Sequence, residues 1–166
     1  MSHDHAPNAA TPDWVHGHSH DPNPHPPPGD ATIRFVAGAQ AQPVTATFLR
    51  TLPRIEIADC FIVSTGHGTS GPFTFGGVML RDLLAALLPP GLVWRYVDVV
   101  SGDGFGTRLT PEEVLAAAPV DRPVLLADTL DGEPLTRAAG LVRLIVPAER
   151  DDALKQVKWI ARIEVA

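Results

Sequence analysis

The 166 residues, 45% hydrophobic with a formal charge of −6, suffice for one domain of roughly 100–150 residues plus a surplus. The surplus is at the front: residues 1–30 hold seven of the 17 prolines, six of the seven histidines and four aspartates, with no Lys or Arg. The remainder carries 13 basic and 15 acidic residues, so no basic excess is left to bind nucleic acid or an anionic membrane. A single cysteine, Cys60, excludes an internal disulfide, and the opening MSHDHAPNAATPDW has neither a positive leading region nor an apolar run of signal length. With no stretch of about 18 uninterrupted apolar residues, a cytoplasmic protein is expected.

Taken in chain order, residues 1–30 lack the apolar surface to offset the entropy of ordering and read as a disordered His- and Pro-rich tail, leaving 31–166 as the folded domain. Within the tail, His16, His18 and His20, with His3, His5 and His25, can gather a divalent transition metal; a solvated polar leader is the plainer reading. Thr32 to Val36, Val44 to Phe48 and the longer Ile55 to Val63 read as strands, and Pro72 to Gly77 as a short extended piece. Val78 to Leu88 has apolar residues at helical spacing, stopped by Pro89-Pro90-Gly91. Leu92 to Val100, rich in branched and aromatic residues, reads as a central strand.

The glycines of Ser101 to Gly106 turn the chain into a hairpin returning over Thr107 to Leu109. Thr110-Pro-Glu-Glu113 then starts a helix with a Thr cap, Pro at the first helical position and a Glu that reaches back, ending by Ala118-Pro119. Val124 to Ala127, Val142 to Val146 and Lys158 to Val165 are further strands, separated by turns at Asp131-Gly132 and Pro147-Ala148. Many short strands with two or three helices and no regular alternation predict an α+β fold with a mixed, mainly antiparallel β core.

Cys60, near the end of an apolar strand, is either a buried filler or a single-point ligand for a soft metal. Strict alternation sets it on the strand face opposite Ile55, Ile57, Phe61 and Val63. The loop Gly66 to Gly71 matches G-x-G-x-x-G, but Pro72-Phe73 follows where a dinucleotide site needs a helix, so that reading fails. The loop can instead offer backbone N–H groups and the hydroxyls of Ser64, Thr65, Thr69 and Ser70 to an oxyanion, with His67 able to change charge near neutrality. Asp103 suits a glycine turn for local reasons. Arg143 interrupts the apolar run Leu141 to Val146, where a guanidinium must find an anion, a carboxylate or the surface.

Six phrases occur in one order: Cys60 at a strand end, Phe75-Gly-Gly-Val-Met-Leu-Arg-Asp-Leu-Leu84, Ser101-Gly-Asp-Gly-Phe105, Asp131-Gly-Glu-Pro-Leu135, Gly140-Leu-Val-Arg-Leu-Ile-Val-Pro147 and Lys155-Gln-Val-Lys-Trp159. Together they resemble the molybdopterin-binding oxidoreductase domain, the family of sulfite oxidase. The resemblance implies a sulfite oxidase-like fold and a molybdenum–molybdopterin cofactor with Cys60 as metal ligand, supporting oxygen-atom or electron transfer. It also implies Arg143 and the segment Lys155 to Lys158 as candidates for the pterin phosphate; from the loop reading, Ser64 and Thr65 are added to the cofactor surround and His67 is expected to be catalytic beside Cys60. The alternatives are a cofactor-free binding or accessory module of the same fold, using the 60–72 loop toward a small anion or a redox protein, and a metal-handling protein working through the tail.

Overall fold

The computed structural model describes residue 15 and residues 27–64, 68–115, 123–147 and 156–166, with the side chains of residues 63 and 64 excepted. The elements run β1 (Ile33–Ala37), β2 (Gln40–Val44), α1 (Ala46–Leu49), β3 (Arg54–Ser64), β4 (Gly68–Met79), α2 (Leu80–Leu87), β5 (Val97–Ser101), β6 (Gly106–Leu109), α3 (Pro111–Leu115), β7 (Leu125–Leu130), β8 (Glu133–Pro134), β9 (Arg143–Ile145) and β10 (Ile160–Val165). They form two five-stranded sheets. The first has the order β2-β1-β10-β5-β6, all antiparallel except the parallel pair β1–β10. The second has the order β3-β4-β7-β8, with β9 also on β7. The fold is α+β and mainly antiparallel, as the residue pattern requires.

The main core lies between the sheets and under α2. Ile33 and Phe35 of β1, Val97 and Val99 of β5, and Ile163 of β10 pack with Val78, Leu126 and Leu144 of the second sheet and with Leu80, Leu83 and Leu84 of α2. A smaller cluster holds Ile57, Cys60, Phe75, Leu125, Ala127 and Ile145. Leu125 and Ala127 alternate with Leu126, and Ile145 with Leu144, so this cluster occupies the other face of the second sheet. Arg143, two residues before Ile145 on β9, shares that face.

Several elements differ from the sequence expectation. The strand expected over Val44 to Phe48 ends at Val44, because Thr45 Oγ1 accepts from Phe48 N–H at 3.1 Å and caps the single turn of α1. The actual strand, β2, lies on the edge of its sheet, where Pro43's missing N–H costs little. The extended piece at Pro72 to Gly77 is part of the twelve-residue β4; β7 approaches it so closely that a Cβ on Gly77 would lie 2.0 Å from the Leu126 carbonyl oxygen. Of the expected Leu92 to Val100 strand only Val97 onward forms, as β5 (Val97–Ser101), although it is indeed interior, between β10 and β6. At α3 the capping box is present: Glu113 N–H donates to Thr110 Oγ1 at 3.3 Å and Thr110 N–H to Glu113 Oε1 at 3.2 Å. That helix's expected end at Ala118-Pro119, the turn residue Ala148 and the histidines of the front segment lie outside the described residues.

Candidate functional site

Cys60 does not face away from Ile57. Asp59 has φ of 55° and the β3–β4 register shifts between Ile57 and Cys60, so a bulge inserts one residue and returns Cys60 to the face that Ile57 occupies. The side chain is 3% exposed. Its Sγ–H donates to the Ile57 carbonyl at 3.4 Å, a bond available to a neutral thiol. Gly71 closes over it from β4: with φ of 126°, a Cβ there would meet the Cys60 carbonyl oxygen at 2.7 Å. Gly71 thus serves strand contact rather than phosphate cradling.

Arg143 is 5% exposed. Its Nε meets no hydrogen-bond partner, its Nη1 reaches the Ala139 carbonyl only at 3.5 Å, and its guanidinium stands 5.5 Å from the ring centre of Phe75, a member of the Cys60 cluster. Burial, with no counter-charge among the described residues, pulls it down to about 10. A second cation is beside it. Lys158 is half-buried, and burial first, then the like charge of Arg143, hold its ammonium below the usual lysine range.

The backbone explains why two cations meet. Leu144 and Val157 exchange N–H···O bonds at 2.8 and 3.3 Å, which sets Arg143 opposite Lys158 and Ile145 opposite Gln156 on one face. Gly140, with φ of 114°, sits against both cations: a Cβ there would lie 2.8 Å from Arg143 Cγ and 3.1 Å from Lys158 Cβ. Trp159 N–H donates to the Gly140 carbonyl at 2.9 Å, and Lys158 Nζ is 5.7 Å from the Trp159 ring centre. Two like charges with no anion between them, among the described residues, form a site that wants a negative ligand.

Of the residues expected from sequence, the structure brings Cys60 and Arg143 to one sheet face and Lys158 to Arg143. Thr65, His67 and Lys155 lie outside the described residues, and of Ser64 only the backbone, paired with Gly68, is described. Sequence reasoning passed over Gly140 and Gln156, both inside motifs it quoted; a glycine beside a buried arginine was the available signal. Asp103 serves its turn, its Oδ1 accepting from Phe105 N–H at 3.0 Å. No group of three His, Cys, Asp or Glu gathers among the described residues, and no helix there is long and apolar enough to cross a membrane.

Comparison with known proteins agrees with this fold. The family described as "Oxidoreductase molybdopterin binding domain" matches residues 45–166. No curated protein sequence matches. Among solved structures, the sulfane dehydrogenase SoxCD from Paracoccus pantotrophus superposes with a TM-score of 0.64 at 19% identity, over 81% of this chain. This chain spans only 37% of that one, and at such identity the likeness is one of fold. The family match takes in β3, β4, β9 and Lys158, and therefore the whole described site: the chain belongs to the molybdopterin-binding oxidoreductase domain family.

Proposed function

We propose that this domain binds a molybdenum–molybdopterin cofactor, Arg143 and Lys158 taking its phosphate and Cys60 being the sulfur that ligates the metal. The observation that carries the reading is Arg143, buried with an unbonded Nε and a lysine rather than a carboxylate beside it. An anionic group removes both the orphaned donor and the repulsion, and charge-assisted bonds in a partly dry site are the strong ones. When bound, the cofactor supplies a metal able to change charge, the requirement for oxygen-atom or electron transfer.

The chain's own residues bind and orient. Gly140 leaves room for the two cations; Phe75, under the guanidinium, keeps water from the face that Cys60 shares. Ligation by Cys60 requires loss of its proton and of its bond to the Ile57 carbonyl. Ser64, Thr65, His67 and Lys155 complete the surround in this proposal, with a small oxyanion as substrate and a redox protein as electron partner.

Protein made in a host that supplies the cofactor tests this. Near-stoichiometric molybdenum and pterin are expected by elemental analysis and by pterin fluorescence after oxidation. Arg143→Met should lose both, and Cys60→Ser should keep pterin while losing metal. Wild-type protein carrying neither would overturn the proposal. The second reading, a cofactor-free module of the same fold, is favoured by one observation: the Cys60 sulfur is sealed and already hydrogen-bonded. It expects no molybdenum and a normally folded Cys60→Ser variant.

A further inference from the structure

Residues 27–30 belong to no strand or helix, yet the domain grips them. Arg137 donates through Nη1 to the Pro27 carbonyl at 2.9 Å and through Nη2 to the Gly29 carbonyl. Pro27 and Pro28 have no N–H, so this stretch offers acceptors with few donors, and a guanidinium, which only donates, is its natural counterpart. Gly102, in the β5–β6 turn, makes the second contact: a Cβ there would lie 3.2 Å from Pro27 Cγ and 3.3 Å from Pro27 Cβ, so the bare glycine is the notch for the ring. Trp159 lines the same surface. Its indole N–H donates to the Arg137 carbonyl at 2.5 Å, and its own carbonyl accepts from Gly102 N–H at 2.9 Å.

Aromatic-lined grooves read proline-rich backbones in this way, because a backbone already extended loses little entropy on being held. The hold is shallow: Pro28, Gly29 and Asp30 are exposed. They also line a cavity of about 150 Å³ with Trp159, Leu141 and Ile160, room enough for a benzene-sized group, so the seat is wider than its occupant. We infer that the groove of Gly102, Arg137 and Trp159 is a recognition site for proline-rich segments, filled in cis by residues 27–30 and able to take a Pro-Pro-Gly segment of another protein in their place. Contacts so few and so exposed open at low cost, and a partner with a bulkier side chain beside its prolines gains the unfilled space. Neither the cofactor nor Arg143 takes part, so loss of this site leaves the proposed function standing.

A synthetic peptide of residues 26–32, Pro-Pro-Pro-Gly-Asp-Ala-Thr, titrated into the full chain labelled with nitrogen-15, tests this. A segment on a short tether has an effective concentration on the order of millimolar, so one that is ordered in cis has an intrinsic dissociation constant of that order or tighter. In the double variant Pro27→Ser, Gly29→Val, the cis segment loses its ring and clashes with the φ of 118° at residue 29. There the peptide should shift the Trp159 indole N–H resonance saturably, with a dissociation constant on the order of 1 mM or tighter. Adding Arg137→Ala should weaken binding by on the order of 10-fold or more, the cost of losing two charge-assisted bonds. Wild-type protein should show the same shift at several-fold higher peptide concentration, because its own segment competes; this arm needs no variant, so a misfolded one cannot protect the inference. Absence of a saturable shift in the wild type, or a shift that survives Arg137→Ala, overturns the site. Self-association of the wild type that the peptide disperses would make a second copy the trans occupant and overturn the assignment to another protein.

Discussion

At the scale of single residues, Arg143 has the clearest energetic consequence. A buried guanidinium with an unbonded Nε and no carboxylate partner among the described residues is a liability to the empty protein, and replacing buried charge with a well-packed apolar side chain is often neutral or stabilising. Arg143→Met should therefore raise the unfolding free energy of the cofactor-free protein by roughly 1–4 kcal/mol, read from urea melts. The pH dependence has a definite sign. The folded-state value of about 10 lies well below the ordinary arginine range, so the folded chain carries the full cost below about 10. As pH rises from there toward the ordinary arginine range, the folded state sheds the proton before the unfolded chain does, and wild-type stability gains on the variant. A gap that widens with pH, or a destabilised Arg143→Met, would show that the charge has a partner. The sequence made this residue visible because one cation inside an apolar run is conspicuous. Gln156 was not visible: an amide between two lysines, in Lys155 to Lys158, looks like surface until the β9 register turns it inward.

At the scale of elements, the β3 bulge decides where the one thiol goes. Alternation read from the sequence sends Cys60 and Ile57 to opposite faces, and nothing in Ile55 to Val63 announces an extra residue, since Asp is no stronger a bulge signal than many others. The left-handed conformation of Asp59 is the device, and it is open to attack. Asp59→Val places a β-branched side chain in that conformation at a cost of about 1–2 kcal/mol, whereas Asp59→Asn, a residue that tolerates it, should avoid that backbone cost. Denaturant melts measure the difference, and labelling by a maleimide measures the second outcome: as the bulge relaxes, Cys60 should react faster. A valine variant equally stable and equally unreactive would mean that packing alone buries the thiol. Elements with strong local signals were legible, as at Thr110 to Glu113, where cap, proline and returning glutamate agree. Thr45 misled because Val44 to Phe48 has strand composition, while a single hydroxyl bond to Phe48 N–H ends the strand.

At the scale of the whole molecule, fold and family were legible because six phrases keep their order over more than half the chain, whereas the site's details depend on pairings between residues far apart in sequence. One such tie links the front of the domain to the site's supporting turn. Arg137 donates to the carbonyls of Pro27, at 2.9 Å, and Gly29, and these residues line a cavity of about 150 Å³ with Trp159 and Leu141. Arg137→Ala should lower the melting temperature by about 2–4 °C and speed amide exchange at Asp30 to Thr32; unchanged exchange there would mean the segment is held by packing alone. The order of the first sheet carries a different consequence. Its middle member, β10, is the last in sequence, and both β1 and β5 lean on it. During synthesis those two ribbons must wait, their facing rims bare, until Ile160 to Val165 emerges. A ribosome stalled upstream of that point leaves two sticky borders, the kind of unpaired rim through which nascent chains associate.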